Sequence, residues 1–192
     1  GWPGGLTVYD VRPDAMTPFA DLGASIADSI ADVAAADVIS VTVLNDEQVR
    51  DVIAGAQGLA RFAKPGTVIA IHSTISDTTA VELARQLEPE GIHIVDAPVS
   101  GGAGAADKGE LAVMVGADDV AFQKVKSVFK KWASLVVRAG EPGAGTRMKL
   151  ARNMLTFTGF AAACEAQKLA EAAGIDLQKL GRVVRPSDEQ SG

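Results

Sequence analysis

With 192 residues, 47% hydrophobic and 22% charged, the chain has the make-up of a soluble globular protein: one domain, or one and part of a second, with a real core. A net charge of −6 argues against nucleic acid or an anionic membrane surface as its main partner, and no run approaches a membrane span in length. The single Cys164 excludes an internal disulfide framework and fits a reducing cytosol, and His72 and His93 are too far apart to give metal-site spacing.

Short β-branched runs alternate with amphipathic helices, the pattern of an α/β fold with a mostly parallel, Rossmann-like sheet. The first strand is expected at 6–9, closed by Asp10, and a short helix follows at 13–20 with Pro13 in its first turn. A helix near 29–36 precedes a buried strand at 38–43, and Asn45 caps a helix to about 53. Lys64-Pro65-Gly66 is a turn into a strand at 67–71. Ser76 opens a helix through 87, and a strand at 93–97 runs into a glycine-dense loop. Beyond the loop come a strand at 111–115, a helix from Asp118 to about 132 and a short strand at 135–137.

The texture changes at Gly140-Glu141-Pro142-Gly143, a candidate boundary that divides 1–141 from 142–192. From 146 to about 173 alanine, leucine and methionine dominate, so one long helix is expected to end at Gly174, with Cys164 a small buried residue inside it. Asp176 caps a shorter helix, and the polar segment 186–192 is expected to fray. The opening Gly1-Trp2-Pro3, without Met, reads as a processed, trimmed or partly observed chain.

Two segments carry chemistry. Asp96-Ala97-Pro98-Val99-Ser100-Gly101-Gly102 ends a strand in a loop that exposes backbone N–H groups, a way to grip an anionic oxygen. Its bland alternative is a flexible strand-to-helix connection. Gly143-x-Gly145-x-x-x-Lys149-x-x-x-Asn153 puts an ammonium and an amide four residues apart, on one helix face. A lysine there also reads as a surface residue whose stem lies on an apolar helix. Asp10, just past a hydrophobic strand, is placed to bond ribose hydroxyls and repel a 2′-phosphate, or is a solvated strand end; Arg12 beside it can hold such a phosphate. Asn45 and Ser76 read as caps, and His72 and His93 as structural residues.

On these two segments the chain resembles the β-hydroxyacid dehydrogenases, the 3-hydroxyisobutyrate and 6-phosphogluconate dehydrogenase-like family. The resemblance implies a Rossmann-like dinucleotide-binding domain over 1–141, without its opening strand and G-x-G-x-x-G turn, and over 142–192 a long interdomain helix and the start of a helical domain. The chain is therefore expected to be part of a longer polypeptide. The implied activity is hydride transfer between NAD and a small β-hydroxy acid, 3-hydroxyisobutyrate first, hence a role in valine degradation in the cytoplasm. Ser100, Gly101 and Gly102 would bind the substrate carboxylate, Lys149 would take the hydroxyl proton, and Asn153 would fix that hydroxyl. Asp10, Leu44, Ser73 and Thr74 would meet the cofactor, no metal is involved, and a homodimer or homotetramer is expected.

Alternatives within the family are a tartronate or succinic semialdehyde reductase, or a 6-phosphogluconate dehydrogenase. The last expects a histidine after the second glycine, where this chain has Thr146, and acidic residues where Ala103-Gly104-Ala105-Ala106 stands. Imine reductases of this fold lack the lysine. A non-enzymatic scaffold relative would be expected to have lost Lys149, which is present.

Overall fold

The computed structural model describes residues 5–189. The opening Gly1-Trp2-Pro3 and residues 190–192 lie outside the described residues. The chain forms two compact units, Gly1–Lys149 and Leu150–Gly192.

In the first unit β1 (Thr7–Val8), α1 (Pro13–Asp21), β2 (Ser25–Ile26) and α2 (Ile30–Val33) come first. They are followed by β3 (Val38–Val41), α3 (Asp46–Ala54), β4 (Val68–Ile71), α4 (Asp77–Leu87) and β5 (His93–Asp96). The unit closes with β6 (Val99–Ser100), α5 (Gly102–Lys108), β7 (Leu111–Gly116), α6 (Asp119–Phe129), β8 (Ala133–Gly140) and the start of α7 (Ala144–Ala172).

Strands β3, β4 and β5 are parallel neighbours, β7 joins β5 and β6 antiparallel, and β8 runs parallel to β7. Strands β1 and β2 make a separate two-stranded parallel sheet. The fold is the expected Rossmann-like α/β arrangement.

Side-chain alternation explains the layers. All four residues of β4 are buried, which happens only when both sheet faces are covered. Ile69 and Ile71 share one core with Val49 and Ile53 of α3 and Leu83 and Leu87 of α4. Val68 and Ala70 point the other way, into a core with Val125 and Phe129 of α6. Truncating a fully buried residue such as Ile71 to Ala would cost about 2–5 kcal/mol.

Several expected elements differ. Strand β8 runs over eight residues instead of three, because parallel pairing with β7 extends to Ala133, Arg138 and Gly140, with register shifts that pass over Ser134 and Ala139. Strand β2 gave no signal of its own and exists through its pairing with Thr7 and Val8. The glycine-dense segment is not an open loop: Val99–Ser100 pairs with β7, and Gly102–Lys108 coils into α5.

Asn45 and Asp118 cap α3 and α6, accepting N–H bonds from Gln48 at 2.9 Å and Ala121 at 2.8 Å. Ser76 precedes α4 but makes no side-chain cap; its hydroxyl pairs with that of Thr78.

The second unit contains the rest of α7 and α8 (Leu177–Glu189), joined through Gly174 at φ +70°. Asp176 caps α8 through Gln178 N–H at 2.8 Å. The tail expected to fray is helical as far as Glu189. Cys164 is half-buried, not buried, in a stretch of α7 whose residues 161–163 and 165–169 are exposed. Met154, Leu155, Phe157 and Phe160 of α7 are exposed.

Candidate active site

The two motif segments meet. Asp96, the last residue of β5, is fully buried, and its carboxylate accepts the backbone N–H of Gly143 and of Thr146, each at 2.6 Å. The first N–H groups of a helix have no partner within it, so a carboxylate there caps the helix and meets the positive end of its dipole. Burial pushes the Asp96 carboxyl above the ordinary carboxylate range, and the amides of Thr146 and Gly143 pull it back by bonding the ionised form.

Glycines make this approach possible. Gly143 has φ +93°, and a Cβ there would stand 2.9 Å from Val81 Cγ2. A Cβ on Gly116 would stand 2.8 Å from Gly145 N, and one on Gly145 would stand 2.8 Å from Gly116 N. A side chain on Gly116 would also collide with the Asp96 carboxylate.

One turn further along α7, half-buried Lys149 donates from Nζ to the carbonyl of Val99 at 2.6 Å and to Ser100 Oγ at 2.9 Å. A surface lysine would extend to water instead. Next to Ser100, Gly101 has φ +134° and Gly102 φ +68°; both are exposed. Asn153 lies four residues on in the same helix, in the second unit, where its Oδ1 faces Arg152 Nη1 at a weak 3.4 Å. Arg147 turns elsewhere, its Nε bonding Asp77 Oδ2 at 2.7 Å, and holds the Asp77 carboxyl below its ordinary range.

The expected cofactor residues lie past the ends of β3 and β4, where open parallel sheets bind ligands, and past the end of β1 in the separate two-stranded sheet. Asp10 Oδ1 accepts Arg12 N–H at 2.8 Å, with Arg12 Nε at 3.6 Å. Leu44 is 87% exposed, too much for a core leucine. Thr74 is exposed. Ser73 differs: it is buried, and its hydroxyl donates to Val43 O at 2.6 Å and accepts Val43 N–H at 2.9 Å. It ties the ends of β3 and β4 together.

His72 is a crossbeam. Nδ1 lies 2.8 Å from Ala97 O and Nε2 lies 3.0 Å from Ser40 Oγ. A carbonyl only accepts, so Nδ1 carries the proton and neutral Nε2 accepts from Ser40. Rings of Phe129 and Trp132 pack edge-on, and this burial lowers the imidazole pKa. His93 pairs with Asp118 at 2.8 Å, away from these residues in the chain.

Sequence reasoning gave Asp96 no task of its own, although it opened the first motif; its role depends on amides 47 and 50 residues away. Gly116 carried no signal at all. Among the described residues no group of three or more His, Cys, Asp or Glu could hold a metal, and no helix is long and apolar enough to cross a membrane.

The sheet, its ligand edge and the exposed residues along it define an NAD(P)-binding domain of the Rossmann type. Residues 4–140 match the family model for the NAD-binding domain of 6-phosphogluconate dehydrogenase. Residues 143–192 match that for the NAD-binding of NADP-dependent 3-hydroxyisobutyrate dehydrogenase. The chain belongs to the β-hydroxyacid dehydrogenase family.

It is 69% identical to an uncharacterised oxidoreductase of Mycobacterium tuberculosis, over 100% of this chain and 65% of the relative. It is 38% identical to L-threonate dehydrogenase of Escherichia coli, over 94% of this chain and 61% of that protein. The crystal structure of an oxidoreductase from Mycobacterium avium superposes with a TM-score of 0.90 at 70% identity, over 98% of this chain and 67% of that one. Mycobacterium tuberculosis 3-hydroxyisobutyrate dehydrogenase with L-serine gives 0.83 at 34% identity, over 91% and 60%. The chain thus spans about 65% of the length of the curated relative it matches at 69% identity.

Proposed function

We propose that the protein is an NAD-dependent dehydrogenase of small β-hydroxy acids, with 3-hydroxyisobutyrate as first substrate. One observation carries the reading: Lys149 Nζ stands at Ser100, against the segment read as the carboxylate site.

Asp10, Leu44 and Thr74 fit the dinucleotide, offering a carboxylate for ribose hydroxyls past β1, and an alkyl surface and a hydroxyl past the ends of β3 and β4. NAD, held there, would supply the redox chemistry as the hydride acceptor. Ser100 and the Gly101 and Gly102 amides hold the carboxylate, so the hydroxyl two carbons away is presented to Lys149. Lys149, in its neutral form, takes the hydroxyl proton on Nζ, and Asn153 orients that hydroxyl. Val99 O and Ser100 Oγ fix where Nζ sits, and such positioning is a large part of catalytic power.

L-threonate is the second substrate reading, favoured by 38% identity to a dehydrogenase of that acid. The division into 1–141 and 142–192 is supported by the two family models, which adjoin between 140 and 143. Cytoplasmic location, valine degradation and a homodimer or homotetramer complete the reading.

The test is steady-state kinetics of the full-length protein with 3-hydroxyisobutyrate and L-threonate. Lys149→Ala should lower kcat by about 10²–10⁴ with NAD affinity unchanged. A variant that keeps more than about a tenth of kcat contradicts the assigned role. A folded wild type that oxidises neither acid, nor any other small β-hydroxy acid, favours the scaffold alternative.

A further inference from the structure

We infer that Asp96 is a positioning residue for Lys149: its carboxylate locks the start of α7 onto the end of β5, and so sets where Lys149 meets Val99 and Ser100. This rests on the dehydrogenase reading and deepens it.

Both halves of the lysine contact hang from Asp96. On one side Val99 and Ser100 follow it by three and four residues. On the other, Thr146, whose N–H its Oδ2 accepts, precedes Lys149 by three residues, a rise of about 4.5 Å along the helix. The path from the lysine to its acceptors therefore closes through one carboxylate, within the first compact unit.

The clamp is built without slack. Both carboxylate oxygens are engaged at 2.6 Å, and Gly116 and Gly145 leave no space for a side chain to intervene. It also needs a carboxylate. Two amide N–H groups require two acceptor oxygens, whereas Asn offers one oxygen and turns an NH₂ against the other donor. The helix start would shift, and a displacement near 1 Å in a catalytic group can cost about 10²-fold in rate.

An ordinary cap would lower stability and leave the chemistry of the folded fraction alone. The experiment is a double-mutant cycle on the full-length protein, with NAD and whichever of 3-hydroxyisobutyrate and L-threonate it oxidises, corrected for folded fraction. Asp96→Asn should lower kcat about 10²-fold with KM for NAD unchanged. In a Lys149→Ala background Asp96→Asn should lower kcat no further, because the group it positions is gone. If Asp96→Asn keeps wild-type kcat, or its effect multiplies with that of Lys149→Ala, the positioning role is overturned. Should Asp96→Asn not fold, Thr146→Pro removes one of the two N–H donors in a helical first turn, where proline is tolerated, and is read the same way. If Lys149→Ala itself leaves kcat unchanged, the dehydrogenase reading falls and this role falls with it.

Discussion

Lys149 Nζ lies 2.9 Å from Ser100 Oγ, across 49 residues of chain. That contact joins the strand-end segment to the long helix, and it makes the chemistry of a lysine, not merely its charge, the quantity to test. Lys149→Arg keeps a cation able to donate to Val99 O. A guanidinium does not give up its proton near neutral pH, so it cannot serve as the base. The variant should be as slow as Lys149→Ala, about 10²–10⁴ below wild type in kcat. Recovery of more than about a tenth of wild-type kcat would mean that charge alone suffices.

Cofactor choice turns on Asp10. Its carboxylate should favour NAD over NADP in kcat/KM by repelling the 2′-phosphate. Arg12 is bonded to Asp10 through its N–H, with its side chain close by. Asp10→Ala should therefore narrow the preference, by removing the repulsion and releasing a guanidinium. Kinetics with both cofactors check this, and a wild type that prefers NADP makes Arg12 the relevant contact.

Gly101 and Gly102 should respond differently to alanine. A Cβ on Gly102 meets nothing within 4 Å, so Gly102→Ala costs only its positive φ, roughly 1–2 kcal/mol. It should fold and raise KM for the hydroxy acid. A Cβ on Gly101 would stand 2.6 Å from Ala105 Cβ, so Gly101→Ala should lose more stability. Thermal melts and KM values separate the two, and an unchanged KM in Gly102→Ala would remove this segment from the substrate site.

His72 should make stability depend on pH. Its folded pKa is depressed by burial, so the unfolded chain takes up the proton first as pH falls. Its contribution is complete above the ordinary imidazole pKa of 6.5 and is lost as pH falls towards the lower folded value. His72→Phe should cost about 1 kcal/mol per lost hydrogen bond at pH 7.5, and more for any buried partner left unsatisfied. It should also flatten the loss of stability as pH falls from 7.5 to below 6.5. Urea unfolding at both pH values measures each effect, and an unchanged slope would contradict the neutral assignment.

What could be read from residue order was whatever is written locally. Val68-Ile69-Ala70-Ile71 is a continuous apolar run, the mark of a strand covered on both faces, and Asn45 and Asp118 are caps visible within four residues. Lys149 stood out because its spacing from Gly143 and Gly145 is fixed within one helix. What escaped depends on distant partners. Strand β8 took its length from β7, Ser73 was claimed by Val43, and α5 formed from glycine and alanine that would pass equally for a loop. The capping of α7 by Asp96 could not be foreseen, since a strand-end aspartate gives no sign of which helix it will meet.

The facing of Gly116 and Gly145 imposes a size filter one carbon atom wide. Neither residue has a positive φ, so the backbone itself would accept alanine at both. Saturation mutagenesis read out by folding should nevertheless leave glycine alone at each position, and pairing the two alanines should not rescue either. Drift elsewhere in the chain could be absorbed by repacking, but here atoms of the main chain meet with nothing between them to trim.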